Sequence, residues 1–332
     1  ESKLFELKEK RDSILANIPN LLDKSVPTGD ESKNKVIRKW GRIKTRKVKN
    51  HEELLESLGL LEMKKAADVA GARFYYLKGE LVKLNQAIIN FALDFLRKKG
   101  FQLMQPPYML RKEALEGAIT LDAFEDMIYK IENENLYLIG TAEHALNAFK
   151  MNEIIPAKEL PIRLAGISPC FRKEAGSHGK DTKGIFRTHQ FEKIEQFVFC
   201  KPEDSWKEFF SILKNTESIF KALEIPFRVV VLASEDTGRT SAKTIDLEGY
   251  FPSQRTYREL GSCSNCLDYQ ARRSNTRFRD KEMRYVHTLN NTAIATERAI
   301  VAIVENHQQT NGSIKIPKAL WKYTGFKEIK KK

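Results

Sequence analysis

PCFRKEAGSHGKDTKGIFRTHQFEKIEQFV, residues Pro169 to Val198, reads as two strands joined by a loop. Cys170 and Phe171 lead into Arg172 and Glu174. On the far side, Ile185-Phe186-Arg187 leads into His189-Gln190-Phe191 and an alternating run through Ile194, Gln196 and Val198. Between them, Ala175 to Gly184 carries Gly176, Gly179 and Gly184 among Ser, His, Lys and Asp, the chemistry of a hairpin tip. The arms hold Arg172, Glu174, Arg187, Glu192 and Glu195. A buried strand face carries both signs of charge only where they pair or where a charged ligand sits among them. Two readings follow: a solvated hairpin laced by ion pairs, or a site for a charged ligand.

Working outward, Leu136 to Ile139 is a short strand running into Gly140-Thr141-Ala142-Glu143, and His144 to Lys150 starts a helix. Thr141 and Glu143 can jointly hold an ammonium group, or Thr141 can cap the helix with Glu143 in its first turn. Lys201 to Leu223 is helical, with Trp206, Phe209, Phe210, Leu213 and Phe220 on its apolar face, and Phe227 to Leu232 is a strand. In Tyr257 to Cys266, Glu259 and Ser262 supply a hard carboxylate and a hydroxyl suited to a divalent ion carrying phosphates. Cys263 and Cys266 have the spacing of a zinc or redox pair, but no second pair completes a site, so no structural zinc is expected. Val286 to Arg298 is a strand feeding a helix to Asn306, and the small residues Thr292, Ala293 and Ala295 let the backbone approach a ligand.

Toward the N-terminus, Glu80 to Lys99 is a strongly amphipathic helix with Leu84, Ile88, Ala92 and Phe95 on one face, closed by Gly100. Phe101 to Met104 is a strand ending at Pro106-Pro107. His51 to Leu61 and Met63 to Ala70 read as short helices and Arg73 to Leu77 as a strand. Lys33 to Lys49 is basic with Trp40 embedded, either a track for phosphates or a solvated connector. Glu1 to Ile18 is a helix whose Leu4, Leu7, Ile14 and Ile18 make a seam that needs a partner helix.

The 41% apolar content supplies a sizeable core, and 332 residues allow about two domains or one large one. No apolar run is long enough to cross a bilayer and no signal-peptide pattern is present, so a cytoplasmic protein with no membrane partner is expected. Four cysteines are too few for a disulfide framework in a chain of this size. A net charge of +13 favours polyanionic partners, an RNA or a nucleotide. Neither a P-loop nor a Gly-x-Gly-x-x-Gly fingerprint occurs, so a nucleotide must be held another way.

Phe171-Arg172-x-Glu174, the loop, and Arg187-x-His189-x-Phe191 together resemble motif 2 of the class II aminoacyl-tRNA synthetases. The longer string GSHGKDTKGIFRTHQFEKIEQF is similar to the seryl-tRNA synthetase version, and Val286 to Arg298 and the ending Ile316 to Phe326 resemble its archaeal form. Residues 80–107 resemble motif 1, which builds the dimer interface in that family, and residues 286–306 resemble motif 3. Ile18-Pro19-Asn20 and Ser25-Val26-Pro27-Thr28-Gly29 resemble the foot of the family's tRNA-binding helical arm. The resemblance implies an α+β fold, an antiparallel sheet flanked by helices and acting as a homodimer. Residues 1–18 would be a stub of the arm, 19–79 a connector and 80–332 the catalytic domain. Because the chain starts at Glu1, a fragment or trimmed form with most of the arm absent is expected.

The implied reaction joins L-serine to ATP as seryl-adenylate and passes the seryl group to tRNA(Ser). Activation would be retained and charging weak. By motif match, Arg172 and Arg298 are catalytic. Thr141, Ala142, Glu143, Arg172, Glu195, Asn290 and Thr292 would bind serine. Arg172, Lys173, Glu174, Arg187, Phe191, Glu259, Leu260, Gly261, Ser262 and Arg298 would bind ATP, with Mg2+ on Glu259 and Ser262. The resemblance makes Phe191 the adenine stack and Glu174 the reader of its amino group, and Glu195 is assigned the serine hydroxyl. Glu297, just before the motif 3 arginine, has no evident role. Alternatives are a synthetase-like ligase loading a carrier protein, and a non-catalytic RNA- or protein-binding paralogue.

Overall fold

The computed structural model describes residues 2–43, 47–120, 127–174 and 184–330; most of the Ala175 to Gly184 loop lies outside them. Eight strands form the main sheet: β1 (Lys35–Trp40), β2 (Gln102–Met104), β3 (Ile162–Phe171), β4 (Gln190–Cys200), β5 (Phe227–Val231), β6 (Lys243–Phe251), β7 (Thr256–Leu267) and β8 (His287–Ala295). Their order is β1-β5-β6-β7-β8-β4-β3-β2. Neighbours are antiparallel except at one edge, where β2 runs parallel to β3 with Gln102 opposite Leu164. The expected antiparallel sheet is thus observed, with one parallel pair added at this edge. The chain from Gln105 to Pro161 supplies the long crossover that a parallel pair requires.

Six helices matter for the argument: α1 (Ser2–Asn17), α2 (His51–Ser57), α3 (Glu80–Lys98), α4 (Ala142–Ala148), α5 (Ser205–Ala222) and α6 (Thr296–His307). In α3, Leu81, Leu84, Ile88 and Ala92 recur at helical spacing and are buried, and Gly100 at φ 84° lets the chain leave the helix. Phe209, Leu213 and Phe220 of α5 and Ile300 and Ile303 of α6 join α3 in one core cluster against the sheet. Alternation sorts β4 cleanly. Ile194, Val198 and Cys200 enter that core, while Phe197 and Phe199 enter a second cluster on the other face. Phe191, Lys193 and Glu195 continue the second face, so the period of the strand aims them together.

Several local expectations shift. Arg172, Glu174 and Arg187 lie just beyond β3 and β4, not within them. Only Tyr76–Leu77 of the Arg73 stretch is extended, paired with Leu61–Glu62, because Arg73 takes φ 64° and breaks the strand. For the same reason α2 stops at Ser57 and Gly59 turns the chain at φ 71° toward Leu61. Over Lys35–Trp40 the basic stretch is an exposed edge strand, β1, with Trp40 opposite Phe227 and their rings stacked at 5.6 Å. Lysines on an edge strand also discourage the addition of another chain. The seam of α1 is as expected in composition, and Leu4, Leu7, Ile14 and Ile18 are each more than half exposed.

Candidate active site

Arg172 stands at the centre. It follows β3 directly, its backbone N–H donates to His189 O at 2.9 Å, and His189 Nδ1 lies 2.9 Å from Arg172 O, so both strand ends fix its main chain. Arg172 Nε donates to Gly140 O at 3.1 Å, at the mouth of the Thr141–Glu143 turn. Its guanidinium lies 5.3 Å from the Phe191 ring centroid. One side chain thus joins two subsites.

On the first side, Thr141 Oγ1 and Thr292 Oγ1 donate to the same Glu195 oxygen at 3.3 and 3.4 Å, and Lys193 Nζ pairs with it at 2.5 Å. Glu195 and Lys193 are almost wholly buried. Thr141 also accepts from Glu143 N at 3.2 Å, so the capping reading of this tripeptide is observed. Glu143 accepts from Gln270 Nε2 at 2.7 Å and Asn290 Nδ2 at 3.1 Å. Burial, then the neighbouring Glu195, pushes the Glu143 carboxyl up to about 7. Burial, helped by Arg172 and Lys193, holds His144 down at about 3, hence neutral. Ala142 has its methyl in the core with Leu146 and Leu164, leaving only its main chain for a ligand.

On the second side, Arg187 Nη1 pairs with Glu174 at 2.7 Å, and Glu174 has the left-handed φ of 53°. Arg298 Nη1 pairs with Glu259 Oε2 at 3.0 Å, donates to Glu259 O at 3.1 Å, and lies 5.1 Å over the Phe186 ring. Arg298 depresses the Glu259 carboxyl below its usual range. Arg172, Glu174, Phe191, Arg187 and Arg298 line one cleft. Lys173 is exposed.

Strict alternation would put Glu259 and Ser262 on opposite faces of β7. A bulge prevents this. Leu247 faces Gly261 while Glu248 faces Glu259, so Leu260 is the extra residue and turns into the core. Ser262 then reaches Asp246, donating at 2.5 Å, and both Glu259 and burial push Asp246 up, burial most. Gly261 lets β7 approach β8: a Cβ there would sit 2.9 Å from Thr292 O. Glu259, Ser262 and Asp246 are hard oxygen donors, which fits Mg2+ and not a soft metal. Among the described residues no group of three or more His, Cys, Asp and Glu stands close enough to hold an ion alone. An ion there would need ligand phosphates to complete its shell. Cys263 and Cys266 fall on opposite faces of β7. The first donates to Phe209 O at 3.7 Å in the core, while the second accepts from Asn290 Nδ2 at 3.6 Å. Both are free thiols raised by burial.

The sequence reading missed Lys193, Gln270 and Asp246. Lys193 was detectable, since it is two residues before Glu195 on a strand and must share its face. Gln270 and Asp246 arrive by tertiary contact alone.

A profile of the tRNA synthetase class II core domain (G, H, P, S and T) matches residues 127–307. The chain is 54% identical over 331 residues to the serine–tRNA ligase of Nitrosopumilus maritimus, covering 98% of this chain and 79% of that one. The solved seryl-tRNA synthetase of Pyrococcus horikoshii complexed with ATP superposes with a TM-score of 0.96 at 52% identity, covering 99% of this chain and 79% of that one. The cytoplasmic serine–tRNA ligase of Naegleria fowleri, in complex with AMP, superposes with a TM-score of 0.94 at 39% identity, covering 100% and 81%.

Proposed function

The chain belongs to the seryl-tRNA synthetase family of class II aminoacyl-tRNA synthetases, and from that premise we propose that it activates L-serine with ATP and transfers the seryl group to tRNA(Ser). The observation that carries the reading is the position of Arg172, between Gly140 at the serine loop and the Phe191 ring. The serine carboxylate oxygen attacks the α-phosphorus, the bond to the bridging oxygen breaks, and pyrophosphate leaves with that electron pair. A planar guanidinium can hold the carboxylate and the α-phosphate oxygens together, which supplies orientation and charge stabilisation where both are needed. Phe191 offers a face for adenine, and Arg298 a cation for the far phosphates once it exchanges Glu259 for them. Glu174 would read the adenine amino group, with Arg187, Lys173 and the main chain of Leu260 and Gly261 around the nucleotide. Glu259 and Ser262, backed by Asp246, would hold Mg2+. Bound with ATP, that ion would neutralise charge on the phosphates.

Glu143 takes the serine ammonium and Glu195 the hydroxyl, with Thr141, Thr292 and Asn290 fixing the two carboxylates. A terminal ribose hydroxyl of the tRNA then attacks the seryl carbonyl and AMP leaves. The finer proposal is that this chain activates serine well and charges tRNA weakly. The edge at β2 with α3 behind it supports a homodimer through motif 1, and residues 80–332 act as the catalytic domain. No helix of the described residues is long and apolar enough to cross a membrane. Neither a carrier-protein ligase nor a binding paralogue is favoured. ATP–pyrophosphate exchange tests the activity: serine should drive it, and exchange driven by another amino acid or by none would overturn the reading.

A further inference from the structure

Glu297 lies on α6 immediately before Arg298, and its neighbours explain why a buried carboxylate stands there. Strand β8 pairs with β4 only as far as Ala295 opposite Lys193, and then turns into α6. The next backbone N–H of β4, that of Glu192, has lost its ladder partner on that side. Pro169 lies opposite it on the other. Both carboxylate oxygens of Glu297 accept from Glu192 N, at 3.2 and 3.0 Å. Thr296 Oγ1 donates to the same group at 3.1 Å, and so does the Tyr75 hydroxyl. The Glu192 side chain in turn accepts from Asn85 Nδ2 on α3. Glu297 is 2% exposed. A buried donor left unpaired is costly, so the contact holds the two elements in one register.

We propose that Glu297 is a positioning residue for the nucleotide cleft, clamping the helix that carries Arg298 to the strand that carries Phe191. The two ligand-facing side chains are each one residue from the clamp, and Phe191, Glu297 and Arg298 border the same cleft, with Glu192 behind it bonded to Glu297. The network also brings together the three segments read separately in the sequence: α3 through Asn85, β4 through Glu192 and α6 through Glu297. Charge-assisted bonds to a main-chain N–H are short and directional, which suits a clamp better than packing alone. The inference rests on the proposed ATP site and adds to it a residue that need not touch the ligand.

The test is serine-dependent ATP–pyrophosphate exchange by the full chain, with Glu297→Ala, Glu297→Gln and Tyr75→Phe, and circular dichroism to confirm folding. Glu297→Ala should raise the KM for ATP about tenfold, the size expected when one hydrogen bond to a charged group is lost, and leave the KM for serine within about twofold. Glu297→Gln keeps one acceptor for Glu192 N–H and should recover most of the loss. Equal effects of Glu297→Ala on both KM values, or no recovery by Gln, would overturn the clamp. If Glu297→Ala does not fold, Tyr75→Phe decides. A selective rise in the ATP KM supports the clamp, and unchanged kinetics overturn it. Absence of exchange in the wild-type chain would instead sink the proposed activity.

Discussion

The two sides of Arg172 are built on different principles. Toward Glu195, the polar groups are buried and already bonded to one another: two threonine hydroxyls and Lys193 converge on one carboxylate oxygen. Toward Phe191, the charges are stored as Arg–Glu pairs, Arg298 with Glu259 and Arg187 with Glu174, on side chains partly open to solvent. A small substrate distinguished by one hydroxyl needs a rigid, fully partnered pocket, because unpaired polar groups are what reject the analogue lacking that hydroxyl. A large polyanion can be met by cations that exchange a protein carboxylate for a phosphate. Under the proposed function, the difference puts selectivity on the first side and charge capture on the second.

Breaking the junction should have the largest effect. Arg172→Ala should lower serine-dependent pyrophosphate exchange by about 10³-fold, as for loss of a charge-stabilising donor aimed at the reacting centre. On the selective side, Glu195→Ala should cut discrimination between serine and alanine by about 10²-fold or more, read as the ratio of kcat/KM values. Phe191→Ala should raise the KM for ATP about tenfold, the scale of one base–aromatic stack, without changing serine selectivity. Last comes pH. Glu143 must be ionised to meet an ammonium, and its carboxyl is raised to about 7. The KM for serine should therefore climb as pH falls below about 7, by up to about tenfold per unit, and Glu143→Gln should flatten the profile. Because the folded value is raised, the favourable contribution of protonated Glu143 to stability is full below its ordinary 4.5 and is lost as pH rises through about 7.

The sequence exposes the parts of this design that are local. Alternation in Phe191-x-x-x-Glu195 and the Gly140-Thr141 turn mark the two sides of Arg172, because a two-residue period and a cap are properties of adjacent residues. The β7 bulge was not legible: nothing in Glu259-Leu260-Gly261-Ser262 says that Leu260 is the extra residue, which follows from the pairing of Leu247 with Gly261. Glu297 stayed uninterpreted for a similar reason, since the N–H it serves is 105 positions away in the chain. That the exposed basic stretch is a strand was not legible, because charge dominated its composition while its pairing brings Trp40 against Phe227.

The most direct measurement is the affinity of two non-hydrolysable aminoacyl-sulfamoyl adenosines, seryl and alanyl, for the wild-type chain and for Arg172→Ala. Each ligand spans both sides at once. The seryl compound should bind at least about 10²-fold more tightly than the alanyl one to the wild type. Arg172→Ala should weaken both by a similar factor while preserving their ratio. Equal wild-type affinities would contradict the placement of selectivity at Glu195. A ratio that collapses in Arg172→Ala would contradict the division of labour between the two sides.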